Sequence, residues 1–299
     1  MNFLIFAILG YALVGGSLII NKIQIQTREI NPLAYTFYAS ILQGAAVILI
    51  PFGFNLNFSQ GALYYSIFSG ILFVLALFAL FKALKLTELS VVGPFVGALN
   101  PLFSLSIGIL FFGEIPNPNQ LTAFFVLIFG AAILTNLWAS KLILKRASLF
   151  MLLSGFLFGL SFVFLRETFL QTSFINGLVI SRLAAALFAF SFLLVPKLKY
   201  QIIRINPKGK VGLGQKLLFL FGQAAAGGAN LAIFFAVSKA SPALVNSLFG
   251  VQYLVILAAS IILGKNHPKL LDEKLNKGVI IQKTIGAVIL SLGVYLLSR

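Results

Sequence analysis

Gly15-Gly16-Ser17-Leu18-Ile19-Ile20-Asn21-Lys22 and Gly159-Leu160-Ser161-Phe162-Val163-Phe164-Leu165-Arg166 follow one pattern: small residues, an apolar run, then a cation. A second pair, Ala83-Leu84-Lys85-Leu86-Thr87 and Val237-Ser238-Lys239-Ala240-Ser241, recurs in the same order further along each half. The offset grows between the two pairs because the second half carries a longer loop. These matches predict a duplicated chain with halves at 1–140 and 141–299 that together form one unit. Each half holds five apolar spans. An odd number obliges the halves to insert with opposite orientations, so the predicted fold is an all-α integral membrane protein of ten transmembrane helices in two inverted five-helix repeats.

The composition supports membrane residence. Charged residues make up 9% of the 299 and apolar ones 60%, with mean hydropathy +1.04; a soluble domain carries roughly 25% charge. Windows of about twenty residues, the length of a helix that crosses a bilayer, fall at 3–20, 33–52, 62–81, 88–112, 119–139, 147–165, 175–196, 216–237, 242–264 and 279–297. Their length and continuity point to helices, because barrel strands are short and alternate. Pro32 and Pro242 stand where a helix tolerates a missing N–H, at its start. The first span has no basic leader and no cleavage motif, so it reads as a retained helix.

The basic residues set the orientation. Of the 22 lysines and arginines, eighteen lie in loops that follow odd-numbered spans, and only Arg166, Lys239 and Arg299 lie opposite. The positive-inside rule then places both termini on the non-cytoplasmic side of the cytoplasmic membrane. The net charge of +16 belongs to these loops and to anionic lipid, with no nucleic-acid module. Lys197 to Gln215 reads as a flexible linker, and Lys265 to Gln282 as a loop or a short surface helix. The absence of cysteine excludes disulfides and thiolate metal sites. His267, beside Pro268, reads as a solvated loop residue, so no metal or other cofactor is expected. The expected partners are a small-molecule substrate and lipid, with the chain a monomer or weak homodimer.

The small-rich first and sixth spans ending in a cation, Ala83-Leu84-Lys85 before span four, and Asn100-Pro101-Leu102-Phe103 followed by Gly113-Glu114 resemble the EamA-type family of the drug/metabolite transporter superfamily. The resemblance extends over essentially the whole chain. It implies a carrier working by alternating access, with export of amino acids or related compounds as the first reading. Exchange or uptake of sugar-phosphate-like or nucleotide compounds is the alternative. Two departures stand out: Gly264-Lys265 replaces the expected glycine–glutamate, and Tyr38 stands near the first-half counterpart of the basic Arg182.

Polar side chains inside spans mark a cavity, because facing lipid is costly. Arg182 is the only basic residue well inside a span and is the candidate anchor for a substrate carboxylate or phosphate. Asn100, Gln252, Tyr253, Gln223, Asn230 and Gln43, together with Tyr38, are the other substrate-binding candidates, and interhelical bonding is the rival role of each amide. Pro94 and Pro101 free backbone carbonyls near residues 90 and 97. Glycines such as Gly97 and Gly222 read as close-packing positions, and Lys85 and Lys239 as interface anchors. The carboxylates Glu29, Glu88, Glu114, Glu167, Asp272 and Glu273 lie in loops or at span ends. With no acid at mid-membrane, transport reads as uniport or exchange, with Glu88 as the weak coupling candidate. An intramembrane enzyme lacks a nucleophile, metal cluster or acid pair. The remaining rival is a structural membrane protein without a central cavity.

Overall fold

The computed structural model describes residues 2–27, 31–55, 58–86, 89–135, 145–203 and 212–252, with separate residues between 254 and 296. Every element among them is helical and none is a strand. In chain order they are α1 (Asn2–Thr27), α2 (Pro32–Leu42) with a 3-10 continuation (Gln43–Phe52), α3 (Gln60–Leu86), α4 (Leu89–Phe112) and α5 (Pro118–Thr135). Then follow α6 (Lys145–Gln171), α7 (Phe174–Ser191), α8 (Pro196–Ile203), α9 (Leu213–Lys239) and α10 (Pro242–Ser247), the last continued by a 3-10 turn (Leu248–Gly250). Seven helices are long and apolar enough to cross a membrane, and two shorter apolar ones cover Pro118–Gly130 and Pro242–Ile256. The chain is therefore a multi-pass integral membrane protein. Most of the span expected at 279–297 lies outside the described residues, as do Glu88, Tyr253 and His267.

The helices associate through small residues, since lipid tails supply no hydrophobic drive between apolar faces. The most extensive pairings lay α3 along α6 and α1 along α9. Between α3 and α6, Ser69 Oγ donates to the Ser161 carbonyl at 2.9 Å and Ser161 Oγ donates back to the Ser69 carbonyl at 2.8 Å. Ser154 Oγ donates to the Ala76 carbonyl at 3.0 Å two turns away. Between α1 and α9, a methyl on Gly10 would meet Ile233 at 2.6 Å and one on Gly222 would meet Ile20 at 2.7 Å. Glycine at these points lets the backbones approach. On the outer face of α1, Ile5, Leu9 and Leu13 are exposed at four-residue spacing, while Ala7, Tyr11 and Leu18 are buried. That is the division expected of a helix between lipid and bundle.

Two segments depart from the sequence reading. The second span changes pitch at Gln43, where an α-helix tightens into ten residues of 3-10 helix. At 2.0 Å rise per residue in place of 1.5 Å, Pro32–Phe52 extends about 36 Å, enough for the ~30 Å hydrocarbon layer. The linker expected from Lys197 begins instead as a helix, α8, with Pro196 opening it. Ile202 anchors it by burial against Leu33, Phe37 and Ala189. At the start of α2, the Asn31 side chain accepts from the Leu33 N–H at 3.0 Å ahead of Pro32. Asn31→Ala is expected to cost about 1 kcal/mol, read as a lowered unfolding midpoint in detergent.

Candidate functional site

The two long helix pairs leave a cavity of ≈ 220 Å³ between them. Five of the predicted amides line it: Gln43, Asn100, Gln223, Asn230 and Gln252. They arrive from four separate segments. Gln43 stands where α2 tightens, Asn100 is on α4, and Gln252 is on the helix that continues α10. Gln223 and Asn230 are two turns apart on α9, so both reach the same wall. Phe73, Phe81, Phe158, Phe162 and Phe249 supply the apolar surface. No described lining residue bears a charge. Such a lining suits a solute with hydrogen-bonding groups on an apolar body.

Arg182 is close to this cavity and does not line it, contrary to the direct anchoring role read from the sequence. Its guanidinium is buried between the rings of Phe73 and Phe234, at 4.5 Å and 4.7 Å from their centroids. Nη1 donates to Gln43 Oε1 at 2.9 Å, while Nη2 is buried without a hydrogen-bond partner among the described residues. Arg182 thus acts on the cavity through two side chains that do line it, holding the Gln43 amide and stacking on Phe73. The physical reason is desolvation: two quadrupolar ring faces cradle a charge that hydrocarbon would penalise. Tyr38 also departs from expectation. It is 38% exposed, packs edge-on against Phe37 and is not among the residues that line the cavity.

Sequence reading missed the residue at the centre of the polar network. Asn246 is fully buried near the start of α10. Its Oδ1 accepts from Tyr11 Oη at 2.8 Å, and its Nδ2 donates to Asn100 Oδ1 at 3.0 Å and Ser104 Oγ at 3.3 Å. One amide therefore joins α1, α4 and α10 across one end of the cavity. Its signal was the same as that of the predicted amides, a polar side chain inside an apolar span. A second cluster ties the cavity wall elsewhere: Tyr35 Oη donates to Asn21 Oδ1 at 2.7 Å, with Gln223 Nε2 3.4 Å from both.

Beyond the Asn246 network lies a second cavity of ≈ 310 Å³. Phe3, Leu105, Ala243 and Leu244 contribute to it, so it continues along the same helices past the network. Its lining also includes Glu114, Arg166 and Lys239. Lys239, read from the sequence as an interface anchor, stands in the last turn of α9 and also lines this cavity. Its Nζ stands 5.5 Å from the Phe235 ring centroid.

Comparison with known proteins agrees with this architecture. Residues 1–136 match the model of the EamA-like transporter family, which belongs to the drug/metabolite transporter superfamily. A solved crystal structure 15% identical in sequence superposes with a TM-score of 0.67, covering 97% of this chain and 94% of that one. That likeness shows a shared fold. No curated protein matches.

Proposed function

We propose that this chain, whose first 136 residues match the EamA-like transporter family, carries small amphipathic metabolites across the cytoplasmic membrane by alternating access. Amino acids or related compounds are the class, and export is the direction. The observation that carries the reading is the central cavity, where five amides from four segments meet aromatic walls and one end is shut by the Asn246 network. Amides can meet both an ammonium and a carboxylate without the cost of burying a fixed charge at mid-membrane. A multiply charged sugar phosphate finds no cation among the described lining residues, so the exchanger alternative is not carried forward.

Two inverted halves of five spans form part of the same proposal. Exchanging the halves turns the α3–α6 pairing into α9–α1, and these are the two most extensive pairings in the molecule. Gly15 and Gly159, equivalent in the repeat, also lie against equivalent segments. A methyl on Gly15 would meet the Gln252 carbonyl at 2.7 Å, and one on Gly159 would meet the Asn100 carbonyl at 3.1 Å. Loop charge supports the placement of both termini on the non-cytoplasmic side. The cavity closed by the Asn246 network would then be closed on that same side.

The test is counterflow in proteoliposomes with a panel of labelled amino acids. The wild type is expected to show saturable exchange of at least one. Gln252→Leu is expected to raise its KM roughly tenfold, the cost of about one lost hydrogen bond to a charged group. Failure of the wild type to exchange any member of the panel would refute the proposed class.

A further inference from the structure

Three helices finish (α4, α6 and α9) and three begin (α1, α5 and α10) around the ≈ 310 Å³ cavity. Gly113, at φ +64°, turns the chain sharply off the end of α4, and the Glu114 N–H closes that turn on the Gly108 carbonyl at 3.0 Å. The Glu114 side chain then folds back over Gly108, where a methyl group would meet its Oε2 at 2.6 Å. Glycine at 108 thereby leaves room for a carboxylate on the cavity wall. Across from it, Arg166 Nη1 donates to the Val237 and Ser238 carbonyls in the last turn of α9, which fixes the guanidinium beside Lys239. Ser241 lines the same cavity.

The lining carries charges of both signs. Glu114 faces Arg166 and Lys239 in the cavity, and Glu167 adds a second carboxylate next to Arg166 in the chain. The remaining wall is apolar, including Leu105, Leu121 and Phe124. A solute with net charge gains on one side of such a site and loses on the other. One with both charges and an apolar body gains on both.

We propose that this cavity is a second binding site, on the same path as the central one, and that it takes a zwitterionic amino acid. The ammonium group rests on Glu114, the carboxylate on Arg166 and Lys239, and the side chain on the leucine and phenylalanine wall. This rests on the carrier reading, and adds to it a site outside the Asn246 network where charge is recognised before or after passage. Burial pushes the Glu114 carboxyl above the usual carboxylate range, with Ser241 and Arg166 opposing the shift. An arriving ammonium group therefore relieves an unfavourable desolvation.

The experiment is calorimetric titration of the purified chain in nanodiscs with leucine, and with its single-charge analogues isoamylamine and 4-methylpentanoate. Counterflow of labelled leucine is measured in parallel. Wild type is expected to bind leucine at least tenfold more tightly than either analogue. Glu114→Gln and Lys239→Gln are each expected to remove most of that preference. Gly108→Ala, which displaces the carboxylate without deleting it, is expected to weaken leucine binding several-fold at unchanged thermal stability. Gln252→Leu, in the central cavity, is expected to keep the outer binding while impairing counterflow. Unchanged leucine affinity in Glu114→Gln and Lys239→Gln, with counterflow intact, overturns the second site and leaves the carrier standing. Wild type that neither binds nor exchanges leucine overturns the second site, whereas the carrier reading falls only when the whole amino-acid panel fails to exchange.

Discussion

Asn246→Leu is expected to lower the stability of the folded chain by about 2–4 kcal/mol, since interhelical hydrogen bonds in membranes contribute roughly 0.6–1.7 kcal/mol each and three are lost. The leucine branches would also face the Tyr11 hydroxyl and the Asn100 carbonyl oxygen, leaving the first without its partner. Asn246→Asp separates the contributions. It preserves the acceptor for Tyr11, loses the donor to Asn100 and Ser104 and adds a buried carboxylate facing Asn100 Oδ1, so its midpoint is expected to fall below that of Asn246→Leu. The measurement is the unfolding midpoint of each purified variant in one detergent. A functional readout accompanies it: a single cysteine in place of Ala226, which lines the central cavity outside the network, in a chain with no other cysteine, becomes accessible to a polar thiol reagent from the side of the second cavity only when the network is broken. Equal midpoints for wild type and Asn246→Leu would show that the network contributes nothing to stability.

Arg182→Ala is expected to act on transport through neighbours. The substitution removes a cation seated on two aromatic faces, each such contact being worth about 0.5–2 kcal/mol, and opens a void between Phe73 and Phe234. Part of the loss is offset, because the buried and unpartnered Nη2 disappears with the side chain. Gln43 loses the donor that aims its amide. The expected result is a KM roughly tenfold higher, equal in size for anionic and uncharged analogues of one substrate. Arg182→Lys is expected not to restore it, since a compact ammonium cannot cover both ring faces, which meet edge to face, and reach Gln43. A loss confined to anionic analogues would instead place the guanidinium on the substrate.

Much of this molecule is legible in its sequence, for reasons that a bilayer imposes. Hydrocarbon demands runs of about twenty apolar residues, so the helices at Asn2–Thr27, Gln60–Leu86, Lys145–Gln171 and Leu213–Lys239 stand where hydropathy puts them. It also penalises stray polar groups, so Gln43, Asn100, Gln223, Asn230 and Gln252 were conspicuous, and all five meet at one cavity. Less legible were features that depend on a neighbour. The 3-10 pitch after Gln43 and the helix at Pro196–Ile203 arise where the chain meets other segments.

What the sequence by itself determined is the membrane class, the position of the long apolar helices and the set of polar residues available to a cavity, because each is a one-dimensional consequence of solvation. The tertiary structure alone decided the partners. It buried Arg182 against Phe73 and Phe234, left Tyr38 off the cavity lining, and made Asn246 the junction of three helices. It also gathered Glu114, Arg166 and Lys239, far apart in the chain, around one cavity. The distinction is physical: the cost of placing a side chain in lipid belongs to that residue, whereas the groups that relieve the cost come from whichever helix lies alongside.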